Sequence, residues 1–212
     1  MVLRYGCVTG RLGDPAKRAK LGVPIGRRMI VLGRPDAAAG RVTLALLTNA
    51  DSDEVAQLLA ESADFHRGWV SYPNRPGPVK SFLADAATNG FMVFGVRCLA
   101  DQSLAGIATL CRFAGEPWAT AEYGCAVGVQ HRGRGYLTEA TVLLMRSAFT
   151  ELDLHRVEAL VQPENHSSAR MLTAAGFRRE GIARGAVRVN GAWQDHVRWA
   201  ITAEDYGITR FS

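Results

Sequence analysis

Apolar and polar positions change rhythm twice along this 212-residue chain. From Arg41 to Leu47 they alternate, as in a half-buried strand. Asn49-Ala-Asp-Ser-Asp53 then offers capping side chains ahead of a helix to about Ala63. Ser71-Tyr-Pro-Asn-Arg-Pro-Gly-Pro78 reads as a proline-rich loop. Val79–Asn89 predicts a short helix stopped by Gly90. Phe91–Leu99, Leu104–Phe113 and Thr120–Val129 predict a meander of strands, the first two joined through Ala100-Asp-Gln-Ser103. The rhythm then turns helical. Leu137–Thr150 has a broad apolar face, which suits packing on a sheet. Val157–Val161 reads as a strand, Ser167–Ala175 as a helix closed by Gly176, and Phe177–Ile182 and His196–Ile201 as the last strands. Strands first, then alternating strand and helix, predict an α/β or α+β sheet with helices on its faces.

The change of rhythm falls on Val127-Gly-Val-Gln-His-Arg-Gly-Arg-Gly-Tyr-Leu-Thr-Glu-Ala140, between a strand and a helix. Gly133 and Gly135 allow a tight turn and close approach of a ligand. The helix that follows aims free N–H groups and its positive dipole end into that turn, which makes it a phosphate cradle. No G-x-x-x-x-G-K-[ST] loop is present. The dinucleotide fingerprint G-x-G-x-x-G fails at its third glycine, where Thr138 stands. Gln130-His-Arg-Gly-Arg-Gly135 fits the remaining class, an acyl-CoA pyrophosphate turn of the form Gln/Arg-x-x-Gly-x-Gly/Ala.

Composition adds limits. The hydrophobic share of 48% is that of an ordinary folded domain. The longest apolar runs, such as Val142-Leu-Leu-Met145, are too short to span a bilayer, and the N-terminus lacks a signal-like apolar stretch, so a cytoplasmic chain without membrane contact is expected. Cys7, Cys98, Cys111 and Cys125 form no C-x-x-C pair and the histidines no H-x-x-x-H pair, so no metal is expected. The charge is uneven. Residues 1–40 hold eight Lys/Arg and two Asp, whereas the rest hold seventeen Lys/Arg and eighteen Asp/Glu. A basic arm over 1–40 and a body over 41–212 follow. The arm either meets an acidic partner such as ribosomal RNA or is simply solvated.

A second motif follows the strand Val157–Val161. Pro163-Glu-Asn-His-Ser-Ser-Ala-Arg-Met-Leu-Thr-Ala-Ala-Gly-Phe177 resembles the N-x-x-S/A-x-x-h-h-x-x-x-G-F signature of the GNAT acetyltransferases, at Asn165, Ser168, Arg170, Gly176 and Phe177. The two motifs stand in that family's order and spacing. Phe65-His-Arg-Gly-Trp-Val-Ser-Tyr-Pro73, Leu154-His-Arg-Val-Glu158, Gly176-Phe-Arg-Arg-Glu-Gly181 and Asn190-Gly-Ala-Trp-Gln-Asp-His196 are similar to stretches of the Rim-type N-terminal acetyltransferases of ribosomal proteins. The resemblance covers about Arg41 to Tyr206. It implies a mixed, mostly antiparallel twisted sheet with helices on both faces. It also implies acetyl-CoA as co-substrate and an amine acceptor, on a protein N-terminus or a small molecule. A ribosome contact through the arm, and a monomer or homodimer, complete the expectation.

The resemblance also assigns residues. The strand Thr120–Val129 would splay from its neighbour at a bulge, with the pantetheine beside Ala126, Val127 and Val129. Gln130, Arg132, Gly133, Arg134, Gly135, Tyr136, Leu137 and Thr138 would form the pyrophosphate turn. Asn165, Ser168 and Arg170 would lie along the rest of the donor. Ser168 would give a proton to the leaving thiolate, or else only cap its helix. Glu122 shares a strand face with Gly124 and Ala126 and is the candidate base, or else an edge carboxylate. Phe65, Trp69 and Tyr72 would floor the acceptor site, or else pack in the core. A second carboxylate that ribosomal acetyltransferases can carry is replaced here by Val187. Asp195 and His196 diverge on a strand, so Asp195 is expected to bond a loop rather than form a dyad. An α-amine, with a pKa near ~8, costs about 1.4 kcal/mol to neutralise at pH 7, against roughly 4.6 for lysine. A weak base therefore suffices for an N-terminal acceptor. The rival readings are transfer to a small amine (an antibiotic, amino acid or polyamine) and an idle CoA-binding regulator.

Overall fold

One sheet of eight strands runs in the order β1-β2-β3-β4-β5-β6-β8-β7. The strands are β1 (Val31–Leu32), β2 (Val42–Leu46), β3 (Met92–Cys98), β4 (Leu104–Ala114), β5 (Thr120–Val127), β6 (Arg156–Val161), β7 (Arg178–Val189) and β8 (Ala192–Thr202). The helices are α1 (Ser52–Glu61), α2 (Ala63–His66), α3 (Pro76–Asn89), α4 (Tyr136–Thr150) and α5 (His166–Ala174). The structure is a computed structural model that describes residues 31–32, 40–70 and 72–208. Most of the basic arm, Cys7 included, lies outside the described residues. Val31–Leu32 of the arm adds the edge strand β1 to β2. Every pairing is antiparallel except β5 with β6, which α4 joins by a crossover. The mixed, mostly antiparallel sheet is the one expected.

Several boundaries move for local reasons. Thr48, not Asn49–Asp53, caps the first turn: its hydroxyl accepts from Ala50 N at 3.3 Å, and Asp51 accepts from Thr48 N at 2.8 Å. α3 starts at Pro76, inside the proline-rich stretch, because a helix's first turn tolerates proline. β5 ends at Val127, before Val129, where a 3-10 turn begins. The last two strands are twice the expected length and meet at Asn190–Gly191, both at positive φ (50° and 88°). This is the Asn-Gly turn that matches strand twist.

Residues opposite each other in neighbouring strands point to the same side of a sheet. Glu122 on β5 lies opposite Cys111 on β4 and Glu158 on β6, and Glu158 lies opposite Ala200 on β8. Glu122, Glu158, Arg198 and His196 therefore share one face. On the other face, Tyr123, Val157 and Ile201 join Leu144, Met145 and Phe149 of α4 and Leu172 of α5 in the larger core. On the Glu122 side, α1 and α3 pack Val55, Leu59, Val79 and Leu83 against Val93, Ile107 and Ala126. That second core takes nothing from β6 or β8 among the described residues, so the face beyond Ala126 is left open.

Candidate active site

The site begins at the turn into α4. Gly133 and Gly135 take φ of 73° and 78°, the left-handed region that other residues avoid. The first intrahelical bond shown at this end runs from Glu139 N to Gly135 O at 3.1 Å. The amides of Tyr136, Leu137 and Thr138 in the first turn have no carbonyl below them to bond. Arg41, which precedes β2, holds this turn. Its Nε reaches Glu139 at 3.1 Å, its Nη1 reaches the Arg134 carbonyl at 3.1 Å, and its guanidinium lies 5.2 Å from the centre of the Tyr136 ring. With the Arg134 carbonyl turned to Arg41, the neighbouring amides are left to face a ligand. A Cβ on Gly135 would come within 3.2 Å of Arg41. Arg132 and Arg134 are exposed, Thr138 is half-buried, and Leu137 serves the core. These residues fit the pyrophosphate of a nucleotide donor.

Beside the turn, other contacts tie it to α1 and α2. Ser62 Oγ accepts from Val129 N at 2.9 Å, Gln130 donates to Glu61 at 3.1 Å, and His66 Nε2 lies 2.9 Å from the Val127 carbonyl. The Val127 carbonyl is thus bonded to a side chain. Burial lowers the His66 pKa, opposed by this bond, so the neutral ring donates through Nε2. Ala126 is buried in the smaller core.

β5 and β6 pair only from Thr120 to Glu122 and then part. The register irregularity of β5 lies on its other side, between β4 and β5, around Arg112 at φ 51°. The fork holds a cavity of about 450 Å³. Ser168, Asn165, Glu122, Trp69, Tyr72 and Trp193 line it. Val187, expected to stand in place of a carboxylate, lines it too. Phe65 does not line it. It packs edge-on to His66, with Arg132 5.9 Å from its ring centre.

Asn165 caps α5: its Oδ1 accepts from Ser168 N at 3.1 Å. The Ser168 hydroxyl is therefore not needed as the cap. Arg170 is exposed and outside the cavity lining. Burial raises the Glu122 pKa, opposed by Arg112 and reinforced by Glu158. Arg112 donates to Glu122 at 3.0 Å. Gln162, at the end of β6, donates to the carbonyls of Gly68 and Trp69 at 3.1 and 3.2 Å, and so fixes the loop that carries Trp69. Asp195 points outward and accepts from Gly185 N at 2.7 Å; Gly185 lies in the irregular stretch of β7, so the bond expected to reach a loop runs between two strands. His196 points inward, buried and lining the cavity. Arg41, Arg112, Gln162 and His196 were not singled out as site residues from sequence. Only register and long-range contacts bring them together. Among the described residues no group of three or more His, Cys, Asp or Glu could hold a metal, and no helix is long and apolar enough to cross a membrane.

The chain is similar to known proteins. Residues 41–178 match the acetyltransferase (GNAT) domain. The chain is 43% identical over 112 residues to "Probable N-acetyltransferase YjcK" of Bacillus subtilis (strain 168), a match covering 53% of this chain and 62% of that protein. It therefore spans less than two thirds of that relative. It is 25% identical over 177 residues to the [ribosomal protein uS5]-alanine N-acetyltransferase of Escherichia coli (strain K12), covering 78% of this chain and 90% of that one. Mycobacterium smegmatis RimJ, solved in complex with CoA-disulfide, superposes with a TM-score of 0.70 at 27% identity, over 77% of this chain and 83% of that one.

Proposed function

The chain belongs to the GNAT family of N-acetyltransferases, and from that premise we propose that it moves an acetyl group from acetyl-CoA directly to the α-amine of a protein N-terminus. The observation that carries this reading is the lining of the forked cavity. Among the described residues its only carboxylate is Glu122, already paired with Arg112, and Arg112 and Arg188 add positive charge. A polyamine needs unpaired carboxylates to offset its charges, and the described lining offers none. An α-amine between Trp69 and Trp193, with its chain leading outward, needs only a place to lose one proton. The relative that acts on ribosomal protein uS5 supports the same choice.

Acetyl-CoA supplies a thioester whose carbonyl carbon takes the amine and whose sulfur leaves. The amides of Gly133–Thr138 hold the diphosphate, helped by Arg132, Arg134 and the α4 dipole. Gln130 and Tyr136 shape the turn, while Val129 and Asn165 border the donor's path. Glu122 receives the amine's proton through water. Ser168 gives its hydroxyl proton to the departing sulfur. Trp69 and Tyr72 hold the peptide. The basic segment 1–40 gives the enzyme a contact for an acidic partner such as the ribosome.

The test is incubation with acetyl-CoA and a mixed panel of peptides and small amines, read by mass. The proposal expects products on peptides. Products on small amines alone would overturn it.

A further inference from the structure

We propose that His196 is a second proton acceptor of the transfer, acting beside Glu122. This rests on the reading of the forked cavity as the transfer site. His196 is 3% exposed, yet it lines the cavity. Its Nδ1 lies 3.1 Å from the Gln194 carbonyl, which can only accept. Nδ1 therefore carries the hydrogen and Nε2 holds the lone pair. Among the described residues Nε2 has no hydrogen-bond partner. A ring nitrogen in the interior is ordinarily paired, so one held in a fixed tautomer and left for the cavity is poised to receive a proton.

The surroundings favour that role. The strand register puts His196 on the same face as Glu122 and Glu158. Arg112 from β4, Glu122 from β5 and Arg188 from β7 line the cavity, while Glu158 from β6 and Arg198 from β8 lie on the same sheet face outside the lining and pair with each other at 3.9 Å. Glu122 and His196 are close enough for the ring to act on the carboxylate's ionisation. Neighbouring Asp195 is turned away to Gly185, so the partner carboxylate comes from another strand.

In the step, the N–C bond forms as the amine's proton passes to Nε2, directly or through one water. The C–S bond breaks with its electron pair on sulfur, which takes the Ser168 proton. The imidazolium then gives its proton to solvent, and the serine alkoxide takes one back, so no net charge accumulates.

His196→Asn separates this from a structural role, because the Asn side-chain amide can still donate to the Gln194 carbonyl while offering no base at the Nε2 position. Wild type is first assayed with the peptide panel; no product there would sink the proposed function itself. With an active wild type, His196→Asn should lower kcat at least tenfold, leave CoA binding and melting unchanged, and remove a limb from the pH profile of kcat/KM. Added imidazole should restore part of the rate. An unchanged kcat and pH profile would overturn the inference. If the Asn variant melts early, His196→Gln, which keeps a polar group toward the cavity, is judged by the same profile and the same two outcomes.

Discussion

Glu122 and Glu158 form the last cross-strand pair between β5 and β6, and past them the sheet forks. Burial lifts the Glu122 pKa, Arg112 and His196 pull it back, and the Glu158 carboxylate beside it adds to the rise. The site's candidate base is thus held where ionisation is expensive.

The Glu122→Gln variant tests both sides of that arrangement. Turnover should fall roughly 10²-fold, the lower range for a lost general base, with CoA affinity unchanged. A raised folded-state pKa contributes stability below the unfolded value, about 4.3, and that contribution is lost as pH rises through the folded value. Glu122→Gln should therefore melt above wild type at pH 7 to 8, with the gap closing near pH 4. Thermal melts across that range check the sign.

Ser168 and Asn165 should separate by kind of defect. Asn165 caps α5 at the Ser168 amide, so Asn165→Ala should cost about 1 kcal/mol of stability. Ser168→Ala should keep the melting temperature and the CoA affinity while slowing single-turnover acetyl transfer about tenfold or more. Equal stability loss in both would place Ser168 in the cap after all.

Arg41 should behave as a donor-site residue although it sits outside both motifs. Arg41→Ala frees the Arg134 carbonyl and Glu139. The KM for acetyl-CoA should rise about tenfold, near 1.4 kcal/mol, with kcat little changed. Arg41→Lys should not rescue it, since one ammonium cannot make both contacts and cover Tyr136. Titration calorimetry with CoA reads the same loss without turnover.

How much of this was legible in sequence follows the range of each interaction. The turn at Gln130–Thr138 and the start of α5 are coded within about a dozen residues, so glycines, a capping Asn and apolar periodicity sufficed to place them. The fork, the open face and His196 depend on which strands meet in which register. No local pattern carries that. The β7–β8 hairpin was undercounted because Arg184-Gly185-Ala186 breaks its alternation at a register shift, although Asn190–Gly191 was the signal for it. The resemblance groups Phe65 with Trp69 and Tyr72, but α2 ends between Phe65 and Trp69 and turns Phe65 to Arg132.

The central claim is the choice of acceptor nitrogen. One peptide with a free α-amine and an internal lysine, incubated with the enzyme, acetyl-CoA and an equal amount of spermidine, poses the choice directly, with fragmentation mass spectrometry locating the acetyl group. The account predicts acetyl on the α-amine, with lysine and spermidine unmodified. Acetyl on spermidine or on the lysine, with the α-amine untouched, would contradict it.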